Sequence, residues 1–301
     1  MIDKVPEKAI EKLKNAGVEV TYIPGIEREA LLEKIDEYDI LVFRSRLRID
    51  REIIDKGKRL KVLARYGVGL DNVDVEYALN KRISVVNAST ASCVSVAELT
   101  LGLMIAASRN LYLHMSSVKN GRWSKGEYIG VELYGKTLGV IGFGRIGSRV
   151  GVYARAMGLE ILAYDSRDVS REVGKLGGRQ VGLEELLEES DVVSLHVPLT
   201  PRTYRMLNEK TLTLIKDGAI LVNTSRGEVI DCRALLKHLD RLGGVAFDVL
   251  EEEPPRSQHL LELIKHPRVI VTPHIGAETR EAMERVADEL ACSILEALKW
   301  Q

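Results

Sequence analysis

The sequence predicts an α/β protein made of two doubly wound parallel-sheet units, and three observations lead there. Short β-branched runs alternate with amphipathic stretches from the first residues to the last. The runs of the second half are apolar on both faces, as in parallel sheets covered by helices on each side. The 301 residues suit about two domains at ~100–200 residues each.

The elements follow in chain order. Val18 to Ile23, Asp39 to Phe43, Leu60 to Tyr66 and Ile83 to Asn87 read as strands, separated by helical patterns such as EREALLEKIDEY and DVEYALNK. VSVAELTLGLMIAASRN, residues 94 to 110, reads as a helix apolar all round, which suits an interdomain or subunit-packing position. The polar, glycine-containing residues from His114 to Gly135 read as an extended excursion. TLGVIG, EILAYD, DVVSLHVP, AILVNTS, GGVAFDV and VIVTP then supply the second set of strands, and ETREAMERVADELACSILEALKW is a final helix.

Composition excludes several function classes. With 43 Lys+Arg against 44 Asp+Glu, the chain lacks the net cationic face needed to coat nucleic acid or an anionic membrane. No uncharged apolar stretch approaches the ~18 residues of a membrane span, and the charged N-terminus lacks the apolar run of a secretion signal. The expected location is therefore cytoplasmic, with neither nucleic acid nor membrane as partner. Cys93, Cys232 and Cys292 match neither a disulfide framework nor a CxxC metal site, so no metal is expected and the thiols are read as reduced and packed in apolar surroundings. Charged residues at 29%, with glutamine only at Gln180, Gln258 and Gln301, suggest a heat-adapted host.

The most specific local signal is GKTLGVIGFGRIG, in which a strand runs into Gly142, Gly144, Arg145, Ile146 and Gly147 and then a helix. Gly142 permits the tight turn, Gly144 lets a pyrophosphate approach the backbone, and Gly147 allows close helix–strand contact. The helix N-terminus offers unpaired N–H groups and a positive dipole to the phosphates. Asp165 lies 18 residues beyond Gly147, close to the ~20 expected of a carboxylate that grips the adenosine ribose. The larger unit is thus expected to be a Rossmann-type dinucleotide-binding domain. Asp165 favours NAD over NADP, although Arg167 leaves a place for a 2′-phosphate. The loop by itself identifies a nucleotide site, which an S-adenosylmethionine enzyme could share.

Ligands of open α/β sheets sit at the carboxyl ends of the strands, and three reactive side chains fall there. Arg226 follows AILVNTS, Glu253 follows the loop after GGVAFDV, and His274 follows VIVTP. An arginine clamps a carboxylate through two hydrogen bonds. A histidine exchanges a proton with a hydroxyl as that carbon loses hydride. A glutamate bonded to the imidazole holds its tautomer and stabilises the imidazolium. The three make a 2-hydroxyacid oxidation site. His114, His238, His259 and His266 read as helix-surface or helix-end residues, and His196 as a strand-end residue near the cofactor.

At this point the chain resembles the D-isomer-specific 2-hydroxyacid dehydrogenase family over essentially its whole length. The matching segments are ARYGVGLDNVD, SVAELTLGLMIAASRN, GKTLGVIGFGRIG, LHVPLTPRT, LVNTSRGEVID, FDVLEEEPP and VTPHIGAET. The resemblance implies that Arg226 binds substrate, that Glu253 pairs with His274, and that His274 gives or takes the proton. It implies that His196, Val197, Pro198, Thr203, Thr224, Ser225 and Asp248 line the cofactor cleft, with His274, Gly276 and Ala277 at the nicotinamide end. It places the substrate loop on Gly67, Val68 and Gly69. It also implies a discontinuous substrate domain, residues 1–92 and 278–301, around a nucleotide domain of residues 93–277.

Within the family the wording most resembles the phosphoglycerate dehydrogenase branch, which implies NAD-dependent oxidation of 3-phospho-D-glycerate at the entry to serine synthesis. Arg44 and Arg65, at strand ends of the first unit, suit a small dianion. The resemblance assigns Arg44 to the substrate pocket, and Lys125 to a phosphate contact supplied by the neighbouring subunit of a homodimer. The apolar helix and the excursion, which would expose much apolar area on a monomer, also point to a dimer. Two alternatives stay open: a glyoxylate/hydroxypyruvate reductase, and a non-catalytic NAD(H)-sensing corepressor. The length leaves no residues for the serine-sensing C-terminal domain of many phosphoglycerate dehydrogenases, so no serine feedback through one is expected.

Overall fold

The computed structural model describes residues 1–299. It divides into two compact units, Met1–Ser92 with the segment from Ala277 onward, and Cys93–Gly276. Trp300, the last residue of the sequence-assigned final helix, lies outside the described residues.

The first unit carries a three-stranded parallel sheet, β1 (Ile40–Phe43), β2 (Val62–Arg65) and β3 (Ser84–Asn87), in that spatial order. Alternate residues of each strand face opposite sides, and both sides are covered. Val42, Val62 and Ala64 pack with Val286, Leu290 and Ile294 of the final helix, Arg280–Lys299. Leu41, Phe43 and Leu63 pack on the other side with Ile35, Ile53 and Ile54. Asp50 and Asp74 start the helices Arg51–Lys56 and Val75–Asn80 by accepting the backbone N–H groups of Ile53 and Tyr77, the usual way an orphan helix donor is satisfied.

The sequence places a strand at Val18–Ile23, and here the structure differs. That segment forms no strand. It runs beside Met1–Asp3, to which it is joined by only two bonds, Met1 N to Thr21 O at 2.7 Å and Ile23 N to Met1 O at 2.9 Å. Ile2 N reaches Val42 O of β1 at 3.0 Å on the opposite side. The residues of 18–23 have the β-branched character of a strand but too short a partner to form a ladder. Beside this place lies a cavity of about 440 Å³, lined by Leu13, Val18, Val20, Ile40 and Leu41 among others and containing none of the sequence-predicted site residues. Burial there holds the Met1 ammonium down at about 6, Asp3 opposing weakly.

The second unit carries seven parallel strands: β4 (Thr137–Ile141), β5 (Glu160–Tyr164), β6 (Arg179–Gln180), β7 (Val192–Leu195), β8 (Ile220–Asn223), β9 (Gly244–Phe247) and β10 (Val269–Val271). Their spatial order is β10-β9-β8-β7-β4-β5-β6. The chain therefore reverses direction across the sheet between β4 and β7, the kind of switch point where such sheets open a crevice for ligand. Leu138, Val140, Val192 and Val222 face one core layer, and Ile141, Val193, Leu195 and Leu221 the other. The Cys93–Ser108 helix crosses the first of these layers with Ala97, Leu103, Met104 and Ala107.

Two further expectations are corrected. The excursion is not extended throughout: Leu111–Lys119 is helical, and His114 is held by Ser124 Oγ and Tyr128 O, each at 3.0 Å. Leucine, methionine and valine in that stretch are compatible with helix once a backbone entry is available, here through Asn110 at φ 51. Cys93 and Cys232 are buried, but Cys292 is exposed on the final helix, because its position in the helical period falls off the apolar stripe. Among the described residues no helix is long and apolar enough to cross a membrane, and no group of three metal-ligating side chains is assembled.

Candidate active site

The glycine loop joins β4 to the Arg145–Ala156 helix. Gly142 has φ +91, a left-handed conformation that an L side chain resists, and a Cβ there would lie 2.8 Å from the backbone of His196. A Cβ on Gly147 would lie 2.0 Å from Gly142 O, so only glycine lets the helix start this close to the strand. A Cβ on Gly144 would meet nothing within 4 Å. The space above the loop is open, beside a helix N-terminus of suitable polarity for a diphosphate. Arg145 is exposed and Ile146 half-buried at the first helical positions.

Asp165, just past β5, closes the far side of this loop. Its Oδ2 accepts the Phe143 N–H at 2.9 Å, and Arg167 donates to it through its backbone N at 3.0 Å and its guanidinium at 3.2 and 3.3 Å. Burial pushes the Asp165 carboxyl up, but the Arg167 bonds, its charge and the Phe143 N–H outweigh this and hold it below the usual range. It is an ionised acceptor of the kind that pairs with a ribose diol. The donor set and the open space over Gly144 fit a dinucleotide.

His196 follows β7, next to the switch point, with its backbone N bonded to Ile141 O at 2.8 Å. Its Nε2 lies 2.8 Å from Ser194 Oγ, while its Nδ1 is enclosed with no hydrogen-bond partner among the described residues. Burial pushes the imidazole down to about 3, so it is neutral at physiological pH. Val197 packs against Gly142. Thr203 Oγ1 bonds back to Pro198 O at 2.6 Å and closes the loop beyond.

Arg226, Glu253 and His274 are brought together at the carboxyl ends of β8, β9 and β10. Glu253 Oε2 lies 2.7 Å from His274 Nδ1, and its Oε1 accepts the Leu250 N–H at 3.0 Å. Burial raises the Glu253 pKa, yet the His274 bond and charge, the Leu250 N–H and the Arg226 charge together bring it below the usual carboxylate value. Glu253 is therefore ionised at neutral pH. An ionised carboxylate only accepts, so Nδ1 carries the proton and Nε2 of the neutral ring presents its lone pair. That is the base a hydroxyl requires.

Asp248 fixes the turn from which His274 projects. The carboxylate accepts Thr272 Oγ1 at 2.6 Å and the N–H groups of Ile275 and Gly276 at 2.8 Å each, and the His274 N–H bonds to Asp248 O at 2.8 Å. His274 takes φ 55, a left-handed conformation that costs ~1–2 kcal/mol outside glycine and is held by this set of bonds. Asp248 is buried, and its pKa is raised because burial outweighs those bonds and the His274 charge. Gly276 has no room for a side chain, since a Cβ would sit 2.9 Å from Asp248 Oδ2.

Sequence reasoning missed two residues that shape this end of the unit. Asn223 accepts from the Ser225 N–H and hydroxyl at 3.0 and 2.8 Å and donates to Arg226 O at 2.8 Å, which sets the backbone from which Arg226 leaves. Thr272 ties Asp248 to the histidine turn. An asparagine two residues before a polar turn is a visible signal for the first; nothing local marks the second. Thr224 Oγ1 is paired with Thr100 Oγ1 at 2.9 Å.

In the first unit Arg44 follows β1 and Arg65 ends β2. The Arg65 guanidinium folds onto the Tyr66 carbonyl at 2.5 Å, under Gly67, whose φ is +140. The Gly67–Gly69 loop is tied down by Ala88 N to Gly67 O at 3.0 Å and Asn87 Nδ2 to Val68 O at 2.5 Å. Ala277 and the Gly67–Gly69 loop lie in this unit, and Lys125 is exposed in the other.

Comparison with known proteins identifies the family. Residues 101–276 match the family described as "D-isomer specific 2-hydroxyacid dehydrogenase, NAD binding domain". The chain is 45% identical over 301 residues to the D-3-phosphoglycerate dehydrogenase of Methanocaldococcus jannaschii, covering 99% of this chain but 56% of that protein. It is 42% identical to the hydroxypyruvate reductase of Thermotoga maritima, covering 98% of this chain and 96% of that one. Among solved structures, the D-lactate dehydrogenase of Aquifex aeolicus in complex with NAD and lactic acid superposes with a TM-score of 0.88 at 32% identity, covering 98% of this chain and 94% of its own. The chain spans little more than half of the phosphoglycerate dehydrogenase relative named above, yet nearly all of the reductase. The chain is a member of the NAD-dependent D-isomer-specific 2-hydroxyacid dehydrogenase family.

Proposed function

We propose that the chain oxidises 3-phospho-D-glycerate to 3-phosphohydroxypyruvate with NAD, the His274–Glu253 contact of 2.7 Å carrying the chemistry. When bound, the nicotinamide supplies the acceptor for the hydride that leaves C2. His274 Nε2 takes the C2 hydroxyl proton, and Glu253 stabilises the imidazolium that results. Arg226 holds the carboxylate as a two-pronged donor, and the Gly67–Gly69 N–H groups receive it in the substrate unit. Residues 1–92 with the segment from Ala277 onward form that unit, and residues 93–276 form the nucleotide unit. The ionised Asp165 supports NAD over NADP.

The phosphate assignment rests on Arg44 and Arg65 at the ends of adjacent strands, cations in a chain of formal charge −1. Lys125 from a second copy completes the phosphate contacts in a homodimer. The exposed Trp123, Ile129 and Tyr134 support such a partner, and the charge-rich surface suits a heat-adapted, cytoplasmic protein. The test is NADH formation from 3-phosphoglycerate at elevated temperature. No turnover, alongside fast reduction of glyoxylate or hydroxypyruvate, refutes the substrate. That second reading is favoured by the reductase relative, of whose length 96% is covered.

A further inference from the structure

Arg44 and Arg46 leave β1 one residue apart in alternation, and the structure treats them differently. Arg46 is consumed by the fold: its Nε lies 3.0 Å from Asp3 Oδ1, and its Nη2 donates to Ile26 O at 2.6 Å. Asp3 is buried at 6% exposure, so the Arg46 charge balances a buried carboxylate. Arg44 has its backbone pinned instead. Its N–H donates to Asp3 Oδ2 at 2.6 Å and its carbonyl accepts from Asn72 Nδ2 at 2.9 Å, while the guanidinium reaches the segment that re-enters this unit. There Nη2 lies 3.8 Å from Glu278 Oε1, inside ion-pair range and beyond hydrogen-bond range.

Glu278 is the second residue of the chain's return into this unit, which begins at Ala277. Two residues later the final helix starts, and its Met283 carbonyl accepts the Tyr66 hydroxyl at 2.7 Å. The Arg44 charge also acts on that hydroxyl, whose pKa burial raises to about 12 against it. Arg44, Tyr66 and the segment beginning at Glu278 thus meet at one end of the sheet. The Glu278 carboxylate is a loosely held monoanion at the cation that the proposed reaction needs for a phosphate.

We propose that Glu278 is an internal competitor for the anion site at Arg44, displaced by the phosphate of the substrate, and that it weakens binding of a dianionic tail while leaving that of an uncharged one unchanged. This inference rests on the phosphorylated-substrate reading above. A half-exposed pair with no direct hydrogen bond is weak, so a dianion, with twice the Coulomb attraction, displaces it. A substrate ending in a hydroxymethyl group gains nothing from Arg44 and leaves the pair in place. The side chain acts on binding and touches no reacting atom, so its effect falls on KM and not on kcat.

The experiment compares KM for 3-phosphohydroxypyruvate and for hydroxypyruvate in the wild type, Glu278→Gln, Arg44→Gln and the double variant, all as full chains with saturating NADH. Glu278→Gln is expected to lower KM for the phosphorylated substrate about threefold, the size of a weak surface pair. The hydroxypyruvate KM and both kcat values stay within error, and the effect disappears on the Arg44→Gln background. If Arg44→Gln raises KM for the phosphorylated substrate but Glu278→Gln does not lower it, the competitor role is wrong and the phosphate reading stands. If Arg44→Gln leaves the ratio of the two KM values unchanged, the phosphate reading fails and takes the competitor role with it. If Glu278→Gln lowers both KM values alike, Glu278 acts as general surface charge and the proposal is also wrong.

Discussion

Glu253 Oε2 lies 2.7 Å from His274 Nδ1, and that contact decides which imidazole nitrogen faces a substrate. With Glu253 ionised, the ring proton sits on Nδ1 and Nε2 is left as the proposed base. Glu253→Gln keeps the shape but removes the charge beside the imidazolium, and its amide can donate to Nδ1 and select the other tautomer. Expected is a fall in kcat of about 10²–10³-fold, within the range of general acid–base effects. NADH affinity measured by fluorescence titration should hold. An unchanged kcat would assign Glu253 a structural role.

The proposed preference for NAD rests on the pair Asp165–Arg167, whose shortest side-chain contact is 3.2 Å. Asp165→Ser removes the charge that repels a 2′-phosphate and releases the arginine to bind it. The ratio of kcat/KM for NAD to that for NADP should drop by about 10–100-fold, equivalent to ~1.4–2.7 kcal/mol. Measuring both constants on one variant settles the point, and an unaltered ratio contradicts the assignment.

Acid sensitivity follows from His196. Burial depresses its folded pKa to about 3 from the ordinary imidazole value of 6.5, so between those values the unfolded chain binds one more proton than the folded one. Stability is therefore lost as pH falls through this window, at about 1.4 kcal/mol per pH unit from this side chain. Urea denaturation of the ligand-free protein at pH 6, 5 and 4 should give a slope shallower by that amount in His196→Gln. Parallel slopes would mean that the imidazole protonates without unfolding.

Much of this was legible in sequence because the signals were local. The strand–glycine–helix–strand–acid order singled out Gly142, Gly144, Gly147 and Asp165 without help from packing, since Gly142 and Gly147 answer steric demands that the turn itself creates, while Gly144 leaves the space above the loop open. Arg226, Glu253 and His274 were singled out because ligands of parallel sheets sit after apolar runs, and the structure brings Glu253 and His274 into contact. What was not legible depends on distant partners. Val18–Ile23 looks like a strand and lacks the neighbour that would make it one. Leu111–Lys119 looks like a loop and is helical, capped by a left-handed Asn110. The fixing of the His274 turn by Asp248 and Thr272 needs two strands to lie side by side. The meeting of Arg44 and Glu278, separated by 234 positions in the sequence (278 − 44), depends on the return of the final helix to the first sheet.

We propose that His274 moves the proton. It is tested most directly by the initial rate of NADH formation from 3-phosphoglycerate in the wild type and in His274→Gln, with cofactor affinity measured alongside. A loss in kcat of about 10²–10⁴-fold at unchanged NADH affinity is the predicted result. Turnover near the wild-type rate would contradict it.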